Sequence, residues 1–257
     1  MTATESFTRL LDIMDELRAK CPWDKKQTIE TLRHLTIEET YELADAIIEN
    51  DMDGIRKELG DILLHIVFYA KIASETGEFT ITDVINGICD KLIFRHPHVF
   101  GDVSVKDAED VKTNWENLKI REGNTSILAG VPTSLPAMVK AHRVQDKARA
   151  VGFDWDEREQ VWEKIEEELG ELKTEISRMD TENMEAEFGD LFFSIINAAR
   201  LYGIDPEAAL ERTNKTFIKR FNYLEKQTIK AGRPLTSMTL DEMNRIWEEA
   251  KKENNNL

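Results

Sequence analysis

The chain repeats itself, so its fold must accommodate the same unit twice. Glu38-Glu39-Thr40-Tyr41-Glu42 returns as Glu167-Glu168-Leu169-Gly170-Glu171, displaced by 129 positions from Glu39 to Glu168. The same displacement carries Glu58-Leu59-Gly60-Asp61 onto Glu187-Phe188-Gly189-Asp190. Upstream, Trp23-Asp24 answers to Phe153-Asp154 at 130 positions, and downstream Trp115 and Lys119 answer to Trp247 and Lys251 at 132. An offset that drifts by so little along the chain marks two copies of one supersecondary unit.

Each copy reads as helices. Phe7, Leu10, Leu11, Met14 and Leu17 keep the i, i+3, i+4, i+7 spacing of one buried stripe, and Cys21-Pro22 ends that helix. Further helices are expected near 30–49, 52–75, 82–95 and 107–119, the third with Ile55, Leu59, Ile62, Leu63, Ile66, Val67 and Ala70 as its apolar face. Gly77 should close it. The order then restarts near 137–151, 157–178, 183–202, 206–231 and 239–253. Few Gly and Pro (12 and 6) and 33% charged residues favour helices over short strands and tight turns. The expectation is an all-α protein of two tandem four-helix-bundle-like modules, 1–121 and 137–257, joined by a Gly- and Pro-bearing linker at 122–136.

Charge narrows the partners. With 34 basic against 50 acidic residues the chain carries −16 and has no basic cluster, which disfavours nucleic acid and anionic membranes. A small polyanion would be repelled as well unless a cation reverses the local sign. Cys21 and Cys89 are far apart and lack metal or disulfide spacing, which fits a reducing, cytoplasmic setting. No apolar run has the length of a membrane span or a secretory core.

The acidic residues that repeat are spaced for a metal. Glu39 and Glu42 share one helix face, as do Glu58 and Asp61 on the next helix; the second copy repeats this with Glu168 and Glu171, and Glu187 and Asp190. If the paired helices are antiparallel neighbours, four carboxylates converge in each module. Oxygen-only ligation suits Mg²⁺, with Mn²⁺ as a substitute. A solvated acidic face explains any one such patch, but surface charge drifts after duplication, whereas these positions agree between the copies. Gly60 and Gly189 recur inside helices, where each costs about 0.5–1 kcal/mol relative to Ala, so either a close neighbour or tight helix packing should require them. Cations and aromatics recur too: Lys91 with Arg95 answers to Thr216 with Arg220, and Trp115 with Lys119 answers to Trp247 with Lys251. Such pairs suit phosphate binding beside base stacking, or lysines snorkelling past core tryptophans. His65, one turn after Asp61, corresponds to Ser194 and reads as a packed histidine.

Cys21-Pro22-Trp23-Asp24, the two Glu-Glu-x-x-Glu and Glu-x-Gly-Asp sets, Arg95-His-Pro-His-Val-Phe100 and Val151-Gly-Phe-Asp-Trp155 together resemble the MazG family across essentially the whole chain, in its full-length, two-module bacterial form. The resemblance implies Mg²⁺-dependent hydrolysis of NTPs and dNTPs to monophosphate and pyrophosphate by a cytoplasmic homodimer that controls nucleotide pools, with a link to starvation signalling. It also implies that the second module is the main catalyst, with Glu168, Glu171, Glu187 and Asp190 on the metal and Lys164, Glu167, Glu168, Arg220, Trp247 and Lys251 around the nucleotide. Thr216 departs from the family's basic residue. In the first module Glu39, Glu42, Glu58 and Asp61 would hold metal, and Lys91, Arg95, Trp115 and Lys119 substrate.

The mechanism that fits both lines of reasoning is in-line attack of water on the α-phosphorus, with Mg²⁺ orienting water and phosphate and Glu167 or Glu38 as general base. Lys164 lies one turn before Glu168, where the first module has Leu35, which favours the second module. Two alternatives stay open: a base-selective dUTPase- or dCTPase-like pyrophosphatase, and a non-enzymatic helical dimerisation or adaptor protein. Base preference and any regulatory protein partner are not legible.

Overall fold

The computed structural model describes residues 1–107, 110, 111, 114, 115, 126–230 and 232–254, and every regular element among them is helical. The chain forms two compact units, Met1–Val111 and Lys112–Leu257. The stretch 122–136 falls in the second, and its residues 122–125 lie outside the described ones, as does most of the helix expected at 107–119.

The first unit contains α1 (Ala3–Lys20), α2 (Ile29–Glu49), α3 (Met52–Glu75), α4 (Ile81–Arg95) and the single turn α5 (Pro97–Phe100). The second repeats the order with α6 (Ala137–Arg149), α7 (Gln160–Arg178), α8 (Thr181–Leu201), α9 (Pro206–Lys230) and α10 (Leu240–Asn254). Local chemistry sets the ends. Thr2 with Glu5 and Thr80 with Asp83 form reciprocal capping boxes on α1 and α4. Gly77, at φ +76°, follows α3, where its amide donates to Ser74.

The turn that matters most joins the second and third helices of each unit. In the first, Asn50 ends α2 in the left-handed conformation and Asp51 caps α3; in the second, Met179 ends α7 at the same φ of 56° and Asp180 caps α8. This two-residue connection folds α2 back on α3, and α7 on α8, as antiparallel hairpins. Each hairpin brings the two acidic motifs of its unit side by side.

Met14, Leu32, Val67 and Phe68 form the buried centre of the first unit, with Phe7, Leu10 and Leu11 packed against it. The stripe expected on α1 therefore faces inward. The apolar face expected on α3 divides: Val67 and Ala70 are buried, while Leu59, Leu63 and Ile66 are exposed. The apolar arc is wider than the side that α1 and α2 cover. The second unit shows the same excess, with Phe188, Phe192 and Ile195 exposed on α8. Gly60 and Gly189 lie on these helices, and a Cβ added to either would meet nothing within 4 Å. Neither the close neighbour nor the tight packing expected of them is present among the described residues.

Candidate active site

In the second unit, α7 and α8 bring Glu168, Glu171 and Glu187 together, with one carboxylate oxygen of each within 4.8 Å of the others. The first unit does the same with Glu39, Glu58 and Asp61. The two sets differ in membership. Asp190 stands outside the tight trio of the second unit and Glu42 outside that of the first, yet the charges of both act on their neighbours.

Both trios carry the electrostatic mark of crowded, desolvated carboxylates. Desolvation, reinforced by Glu171, Glu168, Asp190 and Glu175, holds the Glu187 carboxyl above its ordinary range. Desolvation and the charges of Asp61, Glu42, Glu58 and Glu38 do the same to Glu39. Glu58 and Glu168 are each only 6% exposed. The Oε2 atoms of Glu58 and Glu187 are buried without a hydrogen-bond partner among the described residues. Buried carboxylate oxygens without donors call for a cation or a proton, and both trios are chemically suited to a hard divalent ion.

Cations already press on both clusters. Lys164 Nζ donates to Glu167 at 2.8 Å and pairs with Glu168 at 2.9 Å, and these bonds push its own pKa well up. In the first unit Lys57 pairs with Glu58 at 2.9 Å. Glu167 and Glu38, the expected bases, are exposed beside their trios.

The basic and aromatic residues form a second group on α9 and α10. The Arg220 guanidinium lies 6.0 Å from the centre of the Trp247 ring, which also meets Phe217 at 5.0 Å. Arg220 Nε is buried without a partner among the described residues, leaving a donor for an anion. Lys251 pairs with Glu248 at 2.5 Å on its own helix, and the Thr216 hydroxyl donates to the Arg212 carbonyl at 2.7 Å. Of the residues expected to match them from the first copy of the repeat, Lys91 is exposed, Arg95 and Trp115 are half-buried, and Lys119 lies outside the described residues.

Sequence reasoning missed one carboxylate and a cavity. Glu175, one turn beyond Glu171, has a buried Oε2 without a partner among the described residues and adds its charge to Glu187; its i+4 spacing was the available signal, and its first-unit counterpart is Ala46. The cavity, about 610 Å³, opens beside the trio and is lined by Lys164, Glu168 and Asp190 together with Gln145, Asn197 and Arg200. Its polar residues come from three separate stretches of chain, which no local spacing could assemble.

The MazG nucleotide pyrophosphohydrolase domain matches the chain twice, at residues 27–100 and 157–224, and these segments contain both trios. The chain is similar to the nucleoside triphosphate pyrophosphohydrolase/pyrophosphatase MazG of Thermotoga maritima, 45% identical over 250 residues and covering 95% of each protein. It is 41% identical over 254 residues to the nucleoside triphosphate pyrophosphohydrolase of Escherichia coli K12, covering 95% of this chain and 97% of that one. It is also 48% identical over 252 residues to YabN of Bacillus subtilis, covering 96% of this chain and 52% of that protein.

Proposed function

Because this chain belongs to the MazG family of nucleotide pyrophosphohydrolases, we propose that it hydrolyses nucleoside triphosphates to monophosphate and pyrophosphate at the carboxylate cluster of α7 and α8. The observation that carries the site assignment is the trio Glu168, Glu171 and Glu187, of which Glu168 pairs with Lys164 and lines one cavity with Lys164 and Asp190.

Glu168, Glu171, Glu187 and Asp190 would hold Mg²⁺, for which Mn²⁺ could substitute; the partnerless Glu187 Oε2 and the raised Glu187 carboxyl are what such an ion would satisfy. When bound, the ion supplies charge neutralisation at the phosphates and orientation of the reacting groups. The chain's own residues do the rest. Glu167, exposed at the edge of the cluster and hydrogen-bonded to Lys164, accepts the proton of the attacking water as its oxygen bonds to the α-phosphorus. The bond from that phosphorus to the bridging oxygen breaks, and pyrophosphate leaves. Lys164 and Arg220 offset phosphate charge, with Lys251 as a further cation beside Trp247. The first unit has a metal-competent trio, Glu39, Glu58 and Asp61, with the charges of Glu42 and Glu38 acting on it; Lys91, Arg95, Trp115 and Lys119 would be its substrate contacts by the repeat alone.

A homodimer is part of this reading. Leu59, Leu63 and Ile66 on α3, and Phe188, Phe192 and Ile195 on α8, expose apolar surface beside open glycines, and a second copy would cover it. Among the described residues no helix is long and apolar enough to cross a membrane; a cytoplasmic enzyme acting on nucleotide pools is the setting proposed. Chromatography of products from ATP, GTP, dCTP and dUTP with and without Mg²⁺ tests the function. Monophosphate and pyrophosphate formed only with the ion are expected, and orthophosphate with diphosphate would overturn it.

A further inference from the structure

The two units differ where their carboxylate clusters meet the protein interior. The cavity of the second unit, about 610 Å³ and within the roughly 300–1,000 Å³ of small-molecule sites, is walled by Val144 and Ala148 from α6, Val161 and Lys164 from α7, and Phe193 and Asn197 from α8. The repeat maps these positions onto Met14, Arg18, Leu32, Leu35, Leu64 and Phe68. In the first unit Met14, Leu32 and Phe68 are the core itself, Leu35 and Leu64 pack against it, and the Arg18 guanidinium lies 5.7 Å from the Phe68 ring centre. Where the second unit is hollow, the first is filled.

The hollow is built for a polar guest. Gln145 is 6% exposed; its Nε2 donates to the Phe193 carbonyl at 2.8 Å, and its Oε1 has no partner among the described residues. Arg200 is 7% exposed; its Nε and Nη2 donate to Asn197, and Nη2 also to Asp154, while Nη1 has no partner among the described residues. Both residues line the cavity. One buried acceptor and one buried donor left unmatched are costly unless a ligand completes them. In the first unit the corresponding Asp15 and Lys71 complete each other, 2.7 Å apart.

We infer that this cavity is a chamber for the nucleoside part of the substrate, that Gln145 and Arg200 read the edge of its base, and that Phe68 and Arg18 plug the equivalent chamber of the first unit. The inference rests on the nucleotide reading of the site above. Every nucleobase edge presents an N–H donor and a nitrogen or oxygen acceptor, so one acceptor and one donor hold a base without selecting one strongly. Trp155 and Phe193 supply apolar wall for its faces. Lys164, Glu168 and Asp190 stand at the same cavity, so a nucleoside seated there carries its 5′ side to the cluster. The first unit keeps a trio that can hold a cation, and among its described residues the core around Phe68, with Arg18, occupies the place of the base.

The test separates the chamber from catalysis by using free adenosine and cytidine, which carry no phosphate. Saturation-transfer NMR on the full chain should detect both nucleosides with the wild type. Asn197→Phe, which restores the first unit's residue, should weaken binding at least tenfold. Because Asn197 also holds Arg200, Ala148→Phe fills the same cavity from α6 without touching that network and should give the same loss, with folding checked by circular dichroism. Failure of the wild type to bind either nucleoside, or undiminished binding in the folded Ala148→Phe variant, overturns the chamber and returns the base to Trp247. Absence of triphosphate hydrolysis by the wild type would instead overturn the proposed reaction, whatever the nucleoside result.

Discussion

Lys164 Nζ lies 2.9 Å from a Glu168 carboxylate oxygen and 2.8 Å from one of Glu167, so a single ammonium ties the proposed metal ligand to the proposed base. Before substrate and cation arrive, that lysine offsets part of the cluster's charge. A triphosphate would compete for it, and a divalent ion would compete with it for Glu168. Lys164→Met should therefore have two opposed effects. Turnover should fall about 100-fold, by the worth of a single electrostatic contact at a reacting phosphate, while affinity for Mg²⁺ without nucleotide, measured by calorimetry, should rise. A variant unchanged in both measurements would show that the lysine only solvates α7.

The raised carboxyls of Glu39 and Glu187 set a pH dependence. A group held above its unfolded value of 4.5 stabilises the fold fully below that value and loses the contribution as pH rises through its folded pKa. In the metal-free protein both clusters thus oppose folding once ionised, and a divalent ion removes that penalty by favouring the ionised form. The thermal midpoint should rise on adding Mg²⁺ at pH 8 and rise much less at pH 5. Glu187→Gln, which cannot ionise, should shrink the rise at pH 8. A Mg²⁺ effect of equal size at both pH values would count against binding at these carboxylates.

The hairpin turn offers a stability test independent of function. Asn50 and Met179 hold the same left-handed φ of 56° at matching places, but only asparagine tolerates it readily. Met179 is 79% exposed, so its side chain contributes little packing in return. Met179→Asn should stabilise the second unit by about 0.5–1 kcal/mol, read as a higher denaturant midpoint with unchanged slope. A lower midpoint would mean that the methionine makes a contact the backbone argument ignores.

Much of the fold was legible because it depends on local rules. Helical periodicity, Cys21-Pro22, Gly77 and His96-Pro97 mark the ends of α1, α3 and α4 within a residue or two. The carboxylate trios were legible for a different reason: duplication made each acidic motif a control on the other. What escaped depends on burial between distant segments. Leu59, Leu63 and Ile66 share the apolar period of Val67 and Ala70, and periodicity cannot say which of two apolar faces a single chain covers. Gln145, Asn197 and Arg200 belong to none of the repeated acidic or basic motifs, and only the packing of α6 and α8 places them around one cavity. Even there the repeat held the signal, since polar Asn197 and Lys164 stand where the first unit has Phe68 and Leu35.

That asymmetry predicts a division of labour between the units. Each has three carboxylates within 4.8 Å of one another, so each is suited to a cation. The second has Lys164 on its cluster, Glu175 behind Glu187 and a cavity beside Glu168 and Asp190. The first has Leu35, Ala46 and the Phe68 core at those positions. Glu168→Ala should lower kcat by about two orders of magnitude or more, the loss typical of a group needed in the transition state. With the first unit's chamber plugged as inferred above, Glu39→Ala should leave kcat within about threefold of wild type, a change of less than 1 kcal/mol in the barrier. Both variants should fold, since each removes one anion from a mutually repelling cluster, and circular dichroism should confirm it. If Glu39→Ala abolishes turnover and Glu168→Ala does not, the first unit is the catalyst and neither the lysine nor the cavity selects the working site.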